Sequence, residues 1–187
     1  VGGTWMGSVI GAAYGGTGDV IRFYEINPEV IQVAKTHFSF LRESSAQIEI
    51  VPGDARVSLE REPPQEYDLL ALDAFSSDSI PAHLLTLEAF QLYFRHLKPD
   101  GILAVHVTNK YLDLTPVVAA IAERLGKEVL LISSPSRLSR EIYSARWLLV
   151  ASGNEALEAL RPAASPLPEK RVRVWTDDFT NLFEVLK

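Results

Sequence analysis

Acidic and amide side chains follow four successive apolar runs of the sequence, at the points where β-strands are expected to end. In chain order they are Glu25, Asp54, Asp73 and Asn109. In open α/β sheets, ligands bind beyond the carboxyl ends of the strands, so these side chains are expected to line one site. A carboxylate offers two acceptor oxygens and can bind both hydroxyls of a ribose. Glu25 is predicted to do this, because a charge is otherwise unfavourable within a strand.

The tetrapeptide GDAR at residues 53–56 is the second candidate binding segment. Gly53 allows the backbone to approach a ligand closely. Asp54 is expected either to accept a hydrogen bond from an adenine amino group or to cap the helix that follows, a role that Asp also fills well. The sequence leaves both interpretations open.

The loop after the third apolar run carries the strongest candidate for catalysis. Asp73 and Asp78 lie in this loop, and two carboxylates there can hold an ammonium group or accept its proton. The structural alternative is a strand-end Asp and a turn Asp, since loops are rich in this residue. His83 follows in the same region and is expected either to line the substrate side or to lie on the surface.

Short apolar runs rich in β-branched residues alternate with amphipathic stretches, which predicts an α/β fold built from βαβ units around a parallel sheet. The run 67–73 predicts a buried central strand, and residues 98–101 predict a turn. The other expected strands are 20–26, 47–51, 102–107, 128–132 and 146–151, the last two as an antiparallel pair. Helices are expected from Pro28 through Leu41, and at 56–60, 86–97 and 115–125. We expect a single domain over residues 1–187, with a short carboxyl-terminal tail from about residue 161.

Composition excludes several classes of function. The net charge of −6 argues against nucleic acid as a partner, which usually requires a basic face. The absence of cysteine excludes disulfides and thiolate metal sites, and no histidine–acid cluster predicts a metal centre. No apolar run approaches the length of a membrane span. The arginines at 137, 140 and 146 are interpreted as a basic patch or, more simply, as a solvated face.

Five segments in a fixed order give the sequence a resemblance to a known family. They are FYEINP at 23–28, GDAR at 53–56, YD at 67–68 leading to DAFSSDSIP at 73–81, HVTN at 106–109 and TDDF at 176–179. Together they resemble the spermidine synthase family, and within it the spermidine synthase-like domains that are often fused behind membrane segments. This resemblance spans nearly the whole chain from Ala12.

The resemblance implies a Rossmann-like class I methyltransferase fold, with a mostly parallel twisted sheet and helices on both faces. It implies decarboxylated S-adenosylmethionine as donor, with no metal, and a polyamine-type amine as acceptor. By position, Glu25 matches the ribose-binding acid, Asp54 and Ala55 match the adenine site, and Asp73 matches the acid that handles the attacking amine. It is also compatible with a homodimer and with a cytoplasmic location, including that of a cytoplasmic domain of a membrane protein.

The chain departs from the family pattern before the first clear strand. Of the three glycines in the family's cofactor loop, Gly7 alone has a match, and the first strand is expected to be truncated. Asp73 and Asp78 are also spaced more widely than the family's two acids. Two alternatives therefore stay open beside an aminopropyltransferase: a methyltransferase that uses intact S-adenosylmethionine, and a non-catalytic nucleoside-binding domain.

Overall fold

The computed structural model describes residues 15–73, 81–136, 144–153 and 155–187. The described residues divide into two compact units, one with residues 15–62 and 73 and the other with 63–72, 81–136, 144–153 and 155–187. Gly7 and the expected truncated strand lie outside the described residues. A single domain over the whole chain stays a prediction.

The first unit contains a two-stranded parallel sheet and its connecting helices. The strands pair in register from Val20 opposite Gln47 to Glu25 opposite Pro52. Asn27 caps the first helix by accepting a hydrogen bond from Glu29 N at 2.9 Å, as the sequence leads one to expect for Asn before Pro. The elements are β1 (Val20–Glu25), α1 (Pro28–His37), α2 (Phe40–Glu43), β2 (Gln47–Pro52) and α3 (Ala55–Arg61).

The expected long helix between β1 and β2 is two short helices. The chain leaves α1 at Phe38, whose backbone is extended. Phe38 is exposed and its ring lies 5.8 Å from that of Phe40, so it does not continue the buried stripe formed by Ile31 and Ala34. The helical spacing of apolar residues up to Leu41 was therefore the wrong guide to the end of α1.

The second unit contains a four-stranded sheet in the order β3-β4-β6-β5. β3 and β4 are parallel, whereas β6 is antiparallel to both β4 and β5. The expected antiparallel pair of last strands is confirmed. The elements are β3 (Tyr67–Leu72), α4 (Leu87–His96), β4 (Leu97–His106), α5 (Thr115–Arg124), β5 (Glu128–Ser134), β6 (Ala145–Ala151) and α6 (Glu155–Leu160), with 3-10 turns at Ala82–Leu84, Arg161–Ala163 and Leu182–Val185.

Strand β4 begins earlier than the sequence predicts. Leu97 already pairs with Tyr67, and the next pair joins Ile102 to Leu69. Five steps along β4 therefore match two along β3, and residues 98–101 form a bulge within the strand. The Pro and Gly of this segment do interrupt regular pairing, but they do not end the strand.

Strand β3 is buried on one face only. Leu70 and Leu72 are buried, whereas Leu69 is 58% exposed and Ala71 is exposed as well. The expected burial of this strand is therefore wrong for Leu69 and Ala71, because successive side chains of a strand point to opposite faces and, among the described residues, only the face of Leu70 and Leu72 is buried. An uninterrupted apolar run in the sequence cannot reveal this difference.

The carboxyl-terminal segment is part of the core of the second unit. Trp175 is fully buried, and its carbonyl oxygen accepts a hydrogen bond from Leu87 N at 2.9 Å. Thr86 caps α4 and also donates from its hydroxyl to Asp177 Oδ1 at 2.8 Å. The last residues of the chain thus hold the first turn of α4 in place.

We expect Gly101→Ala to lower the free energy of unfolding by about 1–3 kcal/mol, the usual range for overpacking. A Cβ atom at Gly101 would lie 2.8 Å from the carbonyl oxygen of Tyr67 and 3.1 Å from Leu97 Cβ, so the bulge would have to shift. Urea unfolding measures the effect. The matched control is Gly16→Ala, whose Cβ would meet Asp19 Oδ2 at an ordinary 3.5 Å. Equal stability of the two variants would contradict this account of the bulge.

Candidate functional site

The carboxyl ends of β1 and β2 are joined directly by a backbone hydrogen bond. Gly53 N donates to the carbonyl oxygen of Glu25 at 2.9 Å, one residue beyond the last pair of the parallel ladder. This bond places the turn after β2 beside the end of β1. Two of the predicted ligand-binding positions, Glu25 and Asp54, therefore share one edge of the first unit.

The Glu25 carboxylate is buried, with 8% of the residue exposed. Its Oε1 accepts a hydrogen bond from Asn27 N at 2.8 Å, and no described residue donates to Oε2. A buried carboxylate is costly unless it is well hydrogen-bonded. A carboxylate with one oxygen held in place and the other available is suited to accept hydroxyl groups of a ligand.

The Gly53–Asp54 turn has the geometry of a helix start. Gly53 has φ of +134°, a conformation that residues with a side chain rarely adopt. Asp54 Oδ1 accepts from Val57 N at 3.0 Å, so the capping interpretation is confirmed. Ala55 is buried in the first turn of α3. The role of Asp54 and Ala55 at an adenine stays a prediction.

Asp73 directly follows β3 and is half-buried. It is grouped with the first compact unit, the one that also holds Glu25 and Asp54. Asp78 lies outside the described residues. His83 lies exposed in the 3-10 turn Ala82–Leu84. Of the predicted site residues, the structure places Glu25 and Asp54 at the ends of two neighbouring strands, Glu25 as the last residue of β1 and Asp54 just after β2.

Asn109, which follows β4, is used by its own loop. Its Oδ1 accepts from Tyr111 N and from Leu112 N, both at 2.9 Å. The side chain is buried in this double hydrogen bond and shapes the segment that leads into α5. Local structure therefore explains this amide without a ligand.

The second unit has a cavity whose assembly the sequence did not reveal. Its volume is about 470 Å³, and it lies where β4 and β5 end and β6 begins. The sequence singled out two of its residues, Asn109 at a strand end and Arg146 as part of a possible basic patch. The other two arginines of that patch, Arg137 and Arg140, lie outside the described residues. The lining residues come from distant segments: Thr108, Asn109, Ser133, Ser134, Pro135, Ser144, Arg146 and Lys187.

Two further properties concern the described residues alone. Within residues 15–73, 81–136, 144–153 and 155–187, no three histidine or acidic side chains are grouped as metal ligands require. In the same part of the chain, none of the helices has the length and apolar character needed to cross a membrane. Dimer formation and fusion to membrane segments stay predictions.

Comparison with curated proteins gives a match within the expected family. The chain is 37% identical over 93 residues to a protein named polyamine aminopropyltransferase from Vibrio vulnificus. The resemblance to the spermidine synthase family is confirmed. The match covers 48% of this chain and 30% of the relative, so it spans well under half the length of that protein. No family model matches the sequence.

Solved structures of other proteins share the fold of this chain. The chain is similar to a probable spermidine synthase from Corynebacterium glutamicum, with TM-score 0.56, 20% identity and coverage of 76% of this chain and 53% of that one. It is also similar to human methyltransferase-like protein 13 in complex with SAH, with TM-score 0.51, 20% identity and coverage of 86% and 75%. The chain therefore has the predicted α/β, class I methyltransferase-like fold.

Substitution of Asp54 separates its two roles. Asp54→Ala is expected to lower the free energy of unfolding by about 1 kcal/mol, the usual value for loss of a cap, whereas Asp54→Ser keeps a capping oxygen and should leave stability nearly unchanged. If Asp54 also binds adenine, Asp54→Ser will weaken nucleoside binding in calorimetry at parental stability. If Asp54→Ser binds the nucleoside with the affinity of the parent, Asp54 acts only as the cap of α3.

Proposed function

We propose that this chain is the catalytic part of an aminopropyltransferase, a transferase that moves an aminopropyl group from decarboxylated S-adenosylmethionine to a polyamine-type amine. The observation that carries the proposal is the buried Glu25 carboxylate beside the Gly53–Asp54 turn. The identity with a protein named polyamine aminopropyltransferase supports the choice of reaction, over the aligned half of the chain.

The first unit supplies the nucleoside-binding groups. Glu25 Oε2 would accept the ribose hydroxyls while Oε1 keeps its bond to Asn27 N. The backbone at Gly53 would admit the adenine ring closely, since Gly53 carries no side chain. The Asp54 carboxylate would accept from the adenine amino group beside the backbone N–H of Ala55. These residues fit an S-adenosyl compound without a metal ion.

Asp73 is proposed to position and deprotonate the acceptor amine. An alkylamine has a pKa near 10, with lysine as the guide, so at neutral pH it carries a proton that must leave before or during attack. The amine nitrogen forms a bond to the propyl carbon next to the sulfonium, and the carbon–sulfur bond breaks. The electron pair of the broken carbon–sulfur bond goes to sulfur, which becomes a neutral thioether. The amine proton passes to the Asp73 carboxylate.

The charge of the whole chain favours this class of acceptor. A net charge of −6 attracts polyamines, which are cations at neutral pH. The effect acts on the rate of encounter and does not select one amine over another. The length and charge of the acceptor would be set by groups near Asp73.

Turnover with purified protein tests the proposed reaction. The chain is incubated with decarboxylated S-adenosylmethionine and a panel of diamines, and the thioether nucleoside and the extended amine are measured. A parallel reaction uses intact S-adenosylmethionine and the same amines. Aminopropylated product in the first reaction alone is expected. Methylated product in the second would replace this proposal with a methyltransferase, and nucleoside binding without either product would favour a non-catalytic domain.

Glu25→Gln is expected to weaken binding of the thioether nucleoside by about tenfold or more. The amide keeps one oxygen for Asn27 N but loses the charge and the second acceptor oxygen, and a hydrogen bond to a charged group contributes about 1.5–3 kcal/mol. Calorimetry measures the affinity. Glu29→Gln, an exposed acid in the first turn of α1, is the matched control and should bind as the parent does. Unchanged affinity in a folded Glu25→Gln variant would exclude the ribose contact.

Asp73→Asn is expected to lower turnover by about 10²–10⁴-fold, the usual cost of losing a general base. Nucleoside binding should change little, because the amide has nearly the same size and the contacts assigned to Glu25 and Asp54 do not involve it. Turnover and thioether binding are measured side by side. Asp68→Asn on the same strand is the control, since Asp68 is exposed and pairs with Lys98. If Asp73→Asn turns over as fast as the parent, Asp73 has no role as a base in the reaction.

A further inference from the structure

We infer that Glu62 is a positioning residue for the nucleoside site, because it holds the far end of α3 against β1. The inference rests on the proposed function, since it concerns the adenine contacts assigned to Asp54 and Ala55 at the start of this helix. Glu62 is the residue at which α3 ends, and its backbone N donates to Ser58 O at 3.2 Å. Seven residues of α-helix span about 10 Å, so Glu62 lies well away from those contacts.

One oxygen of the Glu62 side chain joins the end of α3 to β1. Glu62 Oε2 accepts a hydrogen bond from the Tyr24 hydroxyl at 2.7 Å and another from Arg22 Nη1 at 3.0 Å. Arg22 and Tyr24 are two residues apart on β1, so their side chains point to the same face of the strand. Tyr24 is buried, and the side chains of Arg22 and Glu62 are 24% and 22% exposed, so water has little access to these bonds.

The helix is therefore attached to one strand at both of its ends. At its start, Gly53 N donates to Glu25 O at 2.9 Å, and at its end Glu62 bonds to two side chains of β1. Between these points Leu59 is fully buried, but apolar contact has no preferred direction. A helix held at one end and by apolar packing can pivot, whereas a second polar attachment fixes the direction of its axis.

The direction of α3 matters because the start of the helix carries the groups proposed to bind adenine. Asp54 Oδ1 accepts from Val57 N at 3.0 Å, so the Asp54 carboxylate moves with the first turn. The backbone N–H of Ala55 belongs to the same turn. Hydrogen bonds weaken steeply as their distance or angle departs from the preferred geometry. A small pivot of α3 would therefore weaken both adenine contacts.

Glu49 offers a matched control within the same group of charges. Its Oε2 lies 2.7 Å from Arg22 Nη2, and its side chain is 31% exposed. Among the described residues it bonds to Arg22 and Gln47, and neither of these belongs to α3. Loss of Glu49 or of Glu62 leaves Arg22 paired with the other acid, so the two losses are comparable for the arginine. Only the loss of Glu62 removes an attachment of α3.

Binding of the thioether nucleoside, measured by calorimetry, tests the inference. Glu62→Met keeps the length of the side chain but removes both hydrogen bonds, and it is expected to raise the Kd by about two- to tenfold, the effect of losing one neutral hydrogen bond. Glu62→Gln keeps one oxygen for both donors and should bind as the parent does. In turnover, Glu62→Met should raise the KM for the donor and leave the KM for the amine unchanged.

Glu49→Met is the control for general loss of stability, and it should bind the nucleoside with the affinity of the parent. An unchanged Kd in Glu62→Met, or an equal rise of the Kd in Glu49→Met, would overturn the inference. If Glu62→Met does not fold, Tyr24→Phe takes its place, because it removes the hydroxyl that donates to Glu62.

Amide hydrogen exchange separates this inference from the proposed function. The amides of Gly53 and Val57 are expected to exchange faster in Glu62→Met than in Glu49→Met, because both are hydrogen-bonded at the start of α3. If the parent binds no nucleoside, the proposed function fails, and the exchange comparison alone decides whether Glu62 orients the helix. Equal exchange in the two variants would show that it does not.

Discussion

The hydrogen bond from Gly53 N to Glu25 O holds the candidate nucleoside site together. It extends the parallel ladder of β1 and β2 by one step and brings the turn after β2 against the end of β1. The ladder itself already places Glu25 opposite Pro52, and this bond continues the alignment into the turn that holds Asp54. With it, a buried carboxylate and a helix N-terminus share one edge, which is where open α/β sheets bind their ligands.

Local structure and ligand binding make different demands on the residues of this edge. Glu25 uses one oxygen to hold Asn27 N, and Asp54 uses one oxygen to cap α3. A carboxylate can serve both purposes because it has two acceptor oxygens. Asn109 shows the other outcome, since its side-chain oxygen is taken up by two backbone N–H groups of its own loop.

The cavity of the second unit results from the order of the strands in its sheet. β6 inserts between β4 and β5 and is antiparallel to both, so the start of β6 meets the ends of its two neighbours. Arg146 thereby faces residues that follow β4, and the terminal segment adds Lys187. An antiparallel strand next to two strand ends therefore assembles a cavity from segments that are far apart in the sequence.

The sequence by itself determined the alternation of strands and helices, the capping residue Asn27 and the acids at strand ends, because these depend on side-chain type and short-range spacing. It left Asp54 open between a cap and a ligand contact, and the structure shows the cap. It did not determine the one-sided burial of β3, the bulge at residues 98–101 or the buried position of Trp175, because each depends on what packs against the element. The cavity with Arg146 and Lys187 was likewise decided by tertiary structure alone, since strand order and the path of the last segment bring those charges together and neither is encoded in local spacing.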